Sequence, residues 1–163
     1  MVTARFMLWT AAAIFLLDQL SKWAVVEAMG LAHRLRIEVL PGFVTFKMGW
    51  NQGVNFGLLS SGSEFARWAL TALALAISAG VAIWAMRRGG RLFALGAGLV
   101  IGGALGNAVD RMRWGAVADF LNVTCCGVAN PYAFNVADIA IFAGAAAIVF
   151  APGDDGAQDA ARG

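Results

Sequence analysis

Four stretches of this chain, at about residues 6–26, 65–85, 92–109 and 135–151, are apolar almost throughout. Crossing a hydrocarbon layer as a helix takes about 20 such residues, and a helix satisfies its own backbone where no water can. The spacing therefore predicts a membrane α-helical protein. It would be a four-transmembrane-helix bundle in a single integral-membrane domain over residues 1–151, followed by a flexible tail over 152–163. Composition agrees: 60% of the residues are hydrophobic and 13% charged, against about 25% charged in soluble domains. The first stretch shows no small-residue cleavage site and runs on into Asp18-Gln19-Leu20-Ser21-Lys22-Trp23, so it reads as a retained helix. Basic residues are scattered without a stripe or stacking platform, which argues against a nucleic-acid partner.

The connecting segments, about 27–64 and 110–134, are more polar. Residues 34–39 alternate as a half-buried strand does, and Pro41-Gly42 turns them toward a second candidate strand at 43–48. A small surface β-sheet after the first helix is expected. The second polar segment, from Asp110 to Tyr132, reads as a loop. Gly98, Gly102 and Gly106 recur every four residues, the spacing that lets helices in a membrane approach closely. Trp9, Trp23, Trp68, Trp84 and Trp114 fall near the ends of the stretches, as interfacial aromatics do. The short basic connection Arg87, Arg88 and Arg91 favours both termini in the cytoplasm. Cys125 and Cys126 are adjacent and read as free thiols in a loop; with His33 alone in a different loop, no spacing resembles a metal site.

Four spans put the exit of the first helix (Asp18, Lys22), the Asn51 and Gly53 loop, the exit of the third (Asn107, Asp110, Arg111), Asp119, and the entry of the fourth (Asn135, Asp138) on one side. Ionisable groups are costly beside hydrocarbon, so their gathering marks a candidate site. Asp18 and Lys22 are four apart with the acid first, an order that suits either an intrahelical pair anchoring the helix end or a part in chemistry. Asp119 and Asp138 each sit in an apolar setting with no basic residue beside them. Two such carboxylates within hydrogen-bonding reach would share a proton, one activating water and the other protonating. That suits hydrolysis of a carbonyl compound without a metal, cofactor or covalent intermediate. On the residues alone, a non-catalytic polar network fits equally well.

Five motifs carry a resemblance. They are Asp18-Gln19-Leu20-Ser21-Lys22, the run from Asn51 to Gly57, the run from Gly102 to Arg111, Val117-Ala118-Asp119-Phe120, and Phe134-Asn135-Val136-Ala137-Asp138. In this order they resemble lipoprotein signal peptidase, the bacterial type II signal peptidase, over nearly the whole chain; Val54 and Asn55 depart from the alanine common in that family. The resemblance implies a multi-pass aspartic endopeptidase of the bacterial inner membrane, with its active site toward the periplasm. It would remove signal peptides from diacylglyceryl-modified prolipoproteins by cutting before the lipidated cysteine. Asp119 and Asp138 would be catalytic. Asn51, Gly53, Asn107, Arg111 and Asn135 would bind substrate or support the pair, and Asp18, Lys22 and Asp110 would hold the site in shape. Lipid-modified prolipoproteins, membrane lipids and globomycin-type inhibitors would be its partners, and a monomer its working form. Two rivals are a small transporter, which four spans without a repeated half suit poorly, and a non-enzymatic assembly factor for lipidated proteins using the same groove.

Overall fold

A computed structural model describes residues 2–53, 64–124 and 130–152. Val54 to Gly57 of the glycine loop, the adjacent Cys125 and Cys126, and the tail from 153 lie outside these residues. Helix α1 (Val2–Lys22) continues as a wider π-type turn over Trp23–Ala28 and leads to the single turn α2 (Leu31–Arg34). Strands β1 (Arg36–Leu40) and β2 (Val44–Asn51) follow, then α3 (Glu64–Arg88), α4 (Arg91–Trp114), β3 (Val117–Val123) and α5 (Val136–Val149).

Helix α4 is the axis. Along its length Gly98, Gly102 and Gly106 receive α1: a Cβ at Gly98 would lie 2.7 Å from Met7 O, one at Gly102 2.5 Å from Ala11 O, and one at Gly106 2.5 Å from Asp18 Oδ2. On another face Gly96 and Gly103 receive α5, where Cβ atoms would meet Gly144 O and Ala137 O at 2.7 and 2.5 Å. The small residues thus decide how near the backbones come, as membrane packing requires. At the far end from the sheet, Arg88 donates to Ala151 O and Pro152 O at 3.2 and 2.9 Å, and the Arg91 guanidinium lies 6.0 Å from the Phe6 ring. These contacts bring the start of α1, the end of α3, the start of α4 and the end of α5 together.

The exterior is apolar, and the interior buries charged and polar groups beside an apolar core. Leu16, Leu17, Leu20, Leu73, Ile77, Phe142 and Val149 are exposed while Asp18, Lys22, Asp110 and Asn135 are buried, the reverse of a soluble domain. Helices α3 and α4 are each long and apolar enough to cross a membrane. Helix α5 is apolar but has 14 residues, and α1 carries Asp18 and Lys22 in its last turns.

The three strands form an antiparallel sheet in the order β1-β2-β3. Its apolar face packs Ile37, Phe46 and Phe120 against Val25, Val26 and Leu31, below the wide turn after α1. Strand β1 begins at Arg36 rather than 34, because Leu35 takes a left-handed conformation (φ 61°) to end α2. Strand β2 runs on through Asn51, so Asn51 ends a strand instead of opening a loop. The loop expected from Asp110 to Tyr132 is corrected twice. Asp110 to Trp114 extend α4, and residues 117–123 form β3. Because β3 is buried on both faces from Val117 to Phe120, its sequence lacks the alternation that marks a half-exposed strand.

Candidate active site

The last helix begins where its sequence says it should. Asn135 is extended and precedes an apolar run with Asp138 three residues on, an arrangement that caps orphan N–H groups. The Asn135 side chain accepts from Asp138 N at 2.9 Å, and Asp138 Oδ2 accepts from Asn135 N at 3.3 Å. Capping therefore fixes where the Asp138 carboxylate stands.

Asp119 arrives from β3, opposite Gly49 of β2. Its Oδ1 accepts from Asn135 Nδ2 at 2.7 Å and its Oδ2 from Asn51 Nδ2 at 3.0 Å. Asn107 of α4 donates through Nδ2 to Asp138 Oδ1 at 3.0 Å, and its Oδ1 accepts from Asn135 Nδ2 at 3.2 Å. The Asn135 and Asn107 amides thus link the two acids, and Asn51 holds Asp119 from the other side. Among the described residues, neither acid forms an ion pair. Burial pushes the Asp119 carboxyl up to about 6, and the neighbouring Asp138 charge adds to this; hydrogen bonds from Asn51 and Asn135 pull the other way.

Beneath this pair lies a second set of charges. Lys22 Nζ sits 2.8 Å from Asp18 Oδ2 and 2.6 Å from Asp110 Oδ2, with all three side chains essentially inaccessible. The intrahelical pair expected from the Asp18 and Lys22 spacing is present, and Asp110 joins it from α4. Gln19, quoted in a motif but given no role at that stage, belongs here too: Nε2 donates to Asp18 Oδ2 at 3.1 Å and to Asp110 Oδ1 at 3.0 Å. Its position beside Asp18 was the only available signal. Asn107, Asp110 and Arg111 project from one face of α4, as residues three and four apart do.

Gly53 donates its N–H to Asn51 Oδ1 at 3.0 Å and so orients that amide toward Asp119. Its φ of 105° suits only glycine, and a Cβ there would run into Leu70 Cδ1. Arg111 Nη1 donates to Asn107 O at 3.3 Å, whereas its buried Nε has no partner among the described residues. Arg111 and Asn107 close the polar end of a cavity of about 190 Å³, whose apolar walls come from Leu70, Leu73 and Ile77 of α3 and Ile141 of α5. The structure thus brings the ten expected site residues to one end of the bundle, with Asn51, Asn107 and Asn135 touching the acids directly.

This mostly helical fold with its small sheet has counterparts among bacterial membrane enzymes. Two such structures, obtained by the in meso method, superpose with TM-scores of 0.71 and 0.72 at 25% and 23% identity. Both alignments cover 88% of this chain, and they cover 84% and 89% of the respective counterparts. The class is a membrane enzyme.

A family model described as signal peptidase (SPase) II matches residues 10–152, and the chain belongs to that family. Proteins described as lipoprotein signal peptidase from Methylobacterium sp. (strain 4-46) and Rhizorhabdus wittichii are 41% and 43% identical over 140 residues. The alignments cover 86% and 85% of this chain and 84% and 80% of those relatives. The resemblance drawn from the five motifs is borne out, and the chain is a membrane peptidase.

Proposed function

We propose that this protein removes the signal peptide from diacylglyceryl-modified prolipoproteins, cutting before the lipidated cysteine, as a metal-independent aspartic endopeptidase whose catalytic pair is Asp119 and Asp138. The observation that carries the aspartic reading is the pair itself. Two carboxylates from different elements are held by the Asn51, Asn107 and Asn135 amides, and neither forms an ion pair among the described residues. Like charges held close together do not ionise together easily, so such a pair can hold a proton between its members.

Asp119, with its carboxyl raised to about 6, is the proton-bearing member, and Asp138 is the base. Asp138 takes a proton from water as the water oxygen bonds to the scissile carbonyl carbon. Asp119 gives its proton to the carbonyl oxygen, forming a neutral tetrahedral diol. Return of the proton from Asp138 to the amide nitrogen breaks the C–N bond, and Asp119 regains its proton from the diol as the acid product forms. All protons balance over the cycle.

The cavity between α3, α4 and α5 supports a lateral approach by an apolar, bilayer-held substrate. The buried Arg111 Nε, without a partner among the described residues, supplies a donor at its polar end. Four spans fit the exposed apolar exteriors of α1, α3 and α5 around α4. Placing the Arg87, Arg88 and Arg91 end in the cytoplasm of a bacterial inner-membrane protein puts the sheet and the acids at the periplasmic face. Membrane lipids then surround the bundle, globomycin-type compounds compete for the cavity, and a monomer contains the whole site.

Cleavage of a purified lipidated prolipoprotein in detergent tests this reading. The expected products separate before the lipidated cysteine at a rate unchanged by a chelator, and the unlipidated precursor is cut more slowly. Binding without cleavage would establish the assembly-factor alternative. Chelator-sensitive cleavage would remove the metal-free mechanism.

A further inference from the structure

We propose that Lys22 is a positioning residue for the acid pair: by drawing Asp18 and Asp110 onto one ammonium, it fixes the two backbone segments from which Asp119 and Asp138 project. This inference rests on the aspartic-peptidase reading above. Its basis is a pairing that recurs on both sides of Lys22. Asp18 Oδ1 accepts from Ala137 N at 3.0 Å, and Asp110 Oδ2 accepts from Ala118 N at 3.2 Å. Ala137 is the residue immediately before Asp138, and Ala118 the one immediately before Asp119. Each flanking carboxylate therefore grips the peptide next to one member of the pair, and Lys22 holds both grips at 2.8 and 2.6 Å.

The third contact of the ammonium points the same way. Lys22 Nζ donates to Asn107 Oδ1 at 3.3 Å, which turns Asn107 Nδ2 toward Asp138 Oδ1 at 3.0 Å. An ammonium has three donors, and all three are spent on groups that contact the acids or their neighbouring peptides. Anchoring the end of α1 would need only the pair with Asp18. A second carboxylate from α4 adds buried charge, and buried ion pairs are no more stabilising than well-packed apolar side chains. A geometric duty accounts for the arrangement, since misplacing reacting groups by about 1 Å costs about 100-fold in rate.

The test compares kcat and KM on the lipidated prolipoprotein for the wild type, Lys22→Met and Lys22→Met/Asp18→Asn, each with a thermal melt in detergent. The double variant removes one of the two carboxylates left uncompensated and keeps an acceptor for Ala137 N–H. Expected for both is a kcat about 100-fold below wild type with KM changed by less than about threefold, and the melt of the double variant recovers while its kcat does not. Asp110→Asn, nearly isosteric and still able to accept from Ala118 N–H, guards against Lys22 variants that do not fold; a kcat about tenfold down is expected. A folded Lys22 variant with wild-type kcat, a loss confined to KM, or a kcat restored along with the melt overturns the proposal. So does an unchanged kcat in Asp110→Asn where the Lys22 variants fail to fold. A wild type that does not cleave fails at an earlier step and removes the peptidase reading itself.

Discussion

Two carboxylate pairs lie one above the other in this protein, and they are held in opposite ways. Asp18 and Asp110 share a buried lysine, with a glutamine bonded to both. Asp119 accepts from the Asn51 and Asn135 amides and Asp138 from the Asn107 amide, Asn107 and Asn135 are bonded to each other, and neither acid has an ion-pair partner among the described residues. The lower carboxylates are tied to a shared cation away from water, whereas the upper pair is held by neutral amides. The lower pair is suited to holding position, and the upper to exchanging a proton.

The sharpest way to break this contrast is to neutralise the upper pair. Asp119→Asn and Asp138→Asn are each expected to reduce cleavage by about 1,000-fold or more, consistent with the loss of a general acid or base, with folded protein still recovered. A quantitative cleavage assay of each purified variant decides this. Near-normal turnover in either variant removes that aspartate from the chemistry.

Breaking the lower pair should show first in stability. Lys22→Ala leaves two buried carboxylates uncompensated and is expected to destabilise the fold by about 3–5 kcal/mol. Chemical denaturation in mixed micelles measures it, with Asn51→Ala at the upper pair as a milder reference because Asn51 is exposed. Equal losses in the two variants would erase the distinction drawn here.

A smaller effect tests how close α1 must come to α4. Gly106→Ala would place a methyl 2.5 Å from Asp18 Oδ2, and overpacking of this kind costs about 1–3 kcal/mol. Gly80, where a Cβ would meet nothing within 4 Å, is the control for the intrinsic effect of alanine in a helix. Comparable melting temperatures for Gly106→Ala and Gly80→Ala would show that the contact bears no load.

The smallest effect concerns pH. Burial, aided by Asp138, raises Asp119 to about 6 in the folded protein, while an unfolded chain releases this proton near pH ~4. Below the unfolded value both states are protonated and the fold keeps its full stability; as pH rises toward and past 6, stability is lost. The Asp119→Asn variant is neutral throughout. Its melting temperature relative to wild type should therefore increase from pH 4 to pH 8, and a difference that is flat or falls with pH would contradict the raised ionisation.

Several features were legible in the sequence because they depend on neighbours along the chain. The apolar stretches, the hairpin turn at Pro41-Gly42, the entry of the last helix at Asn135 to Asp138 and the glycine spacing on α4 all appear in the structure near their expected places. Their signals are local: length, turn chemistry, and a period of three to four residues. Strand β3 escaped because a strand buried on both faces has no polar alternation, and Asp119 within it reads as a loop residue.

What the sequence determined by itself, then, is that this chain makes apolar helices with acids at their ends, and which family its motifs belong to. Tertiary structure alone decided which acids pair and with what. Ala137 N–H finds Asp18 across 119 residues, Asn51 reaches Asp119 across 68, and Lys22 takes its second carboxylate from another helix. Such contacts carry no periodicity, because they exist only after the glycine faces of α4 have drawn α1 and α5 close enough for buried polar groups to satisfy one another.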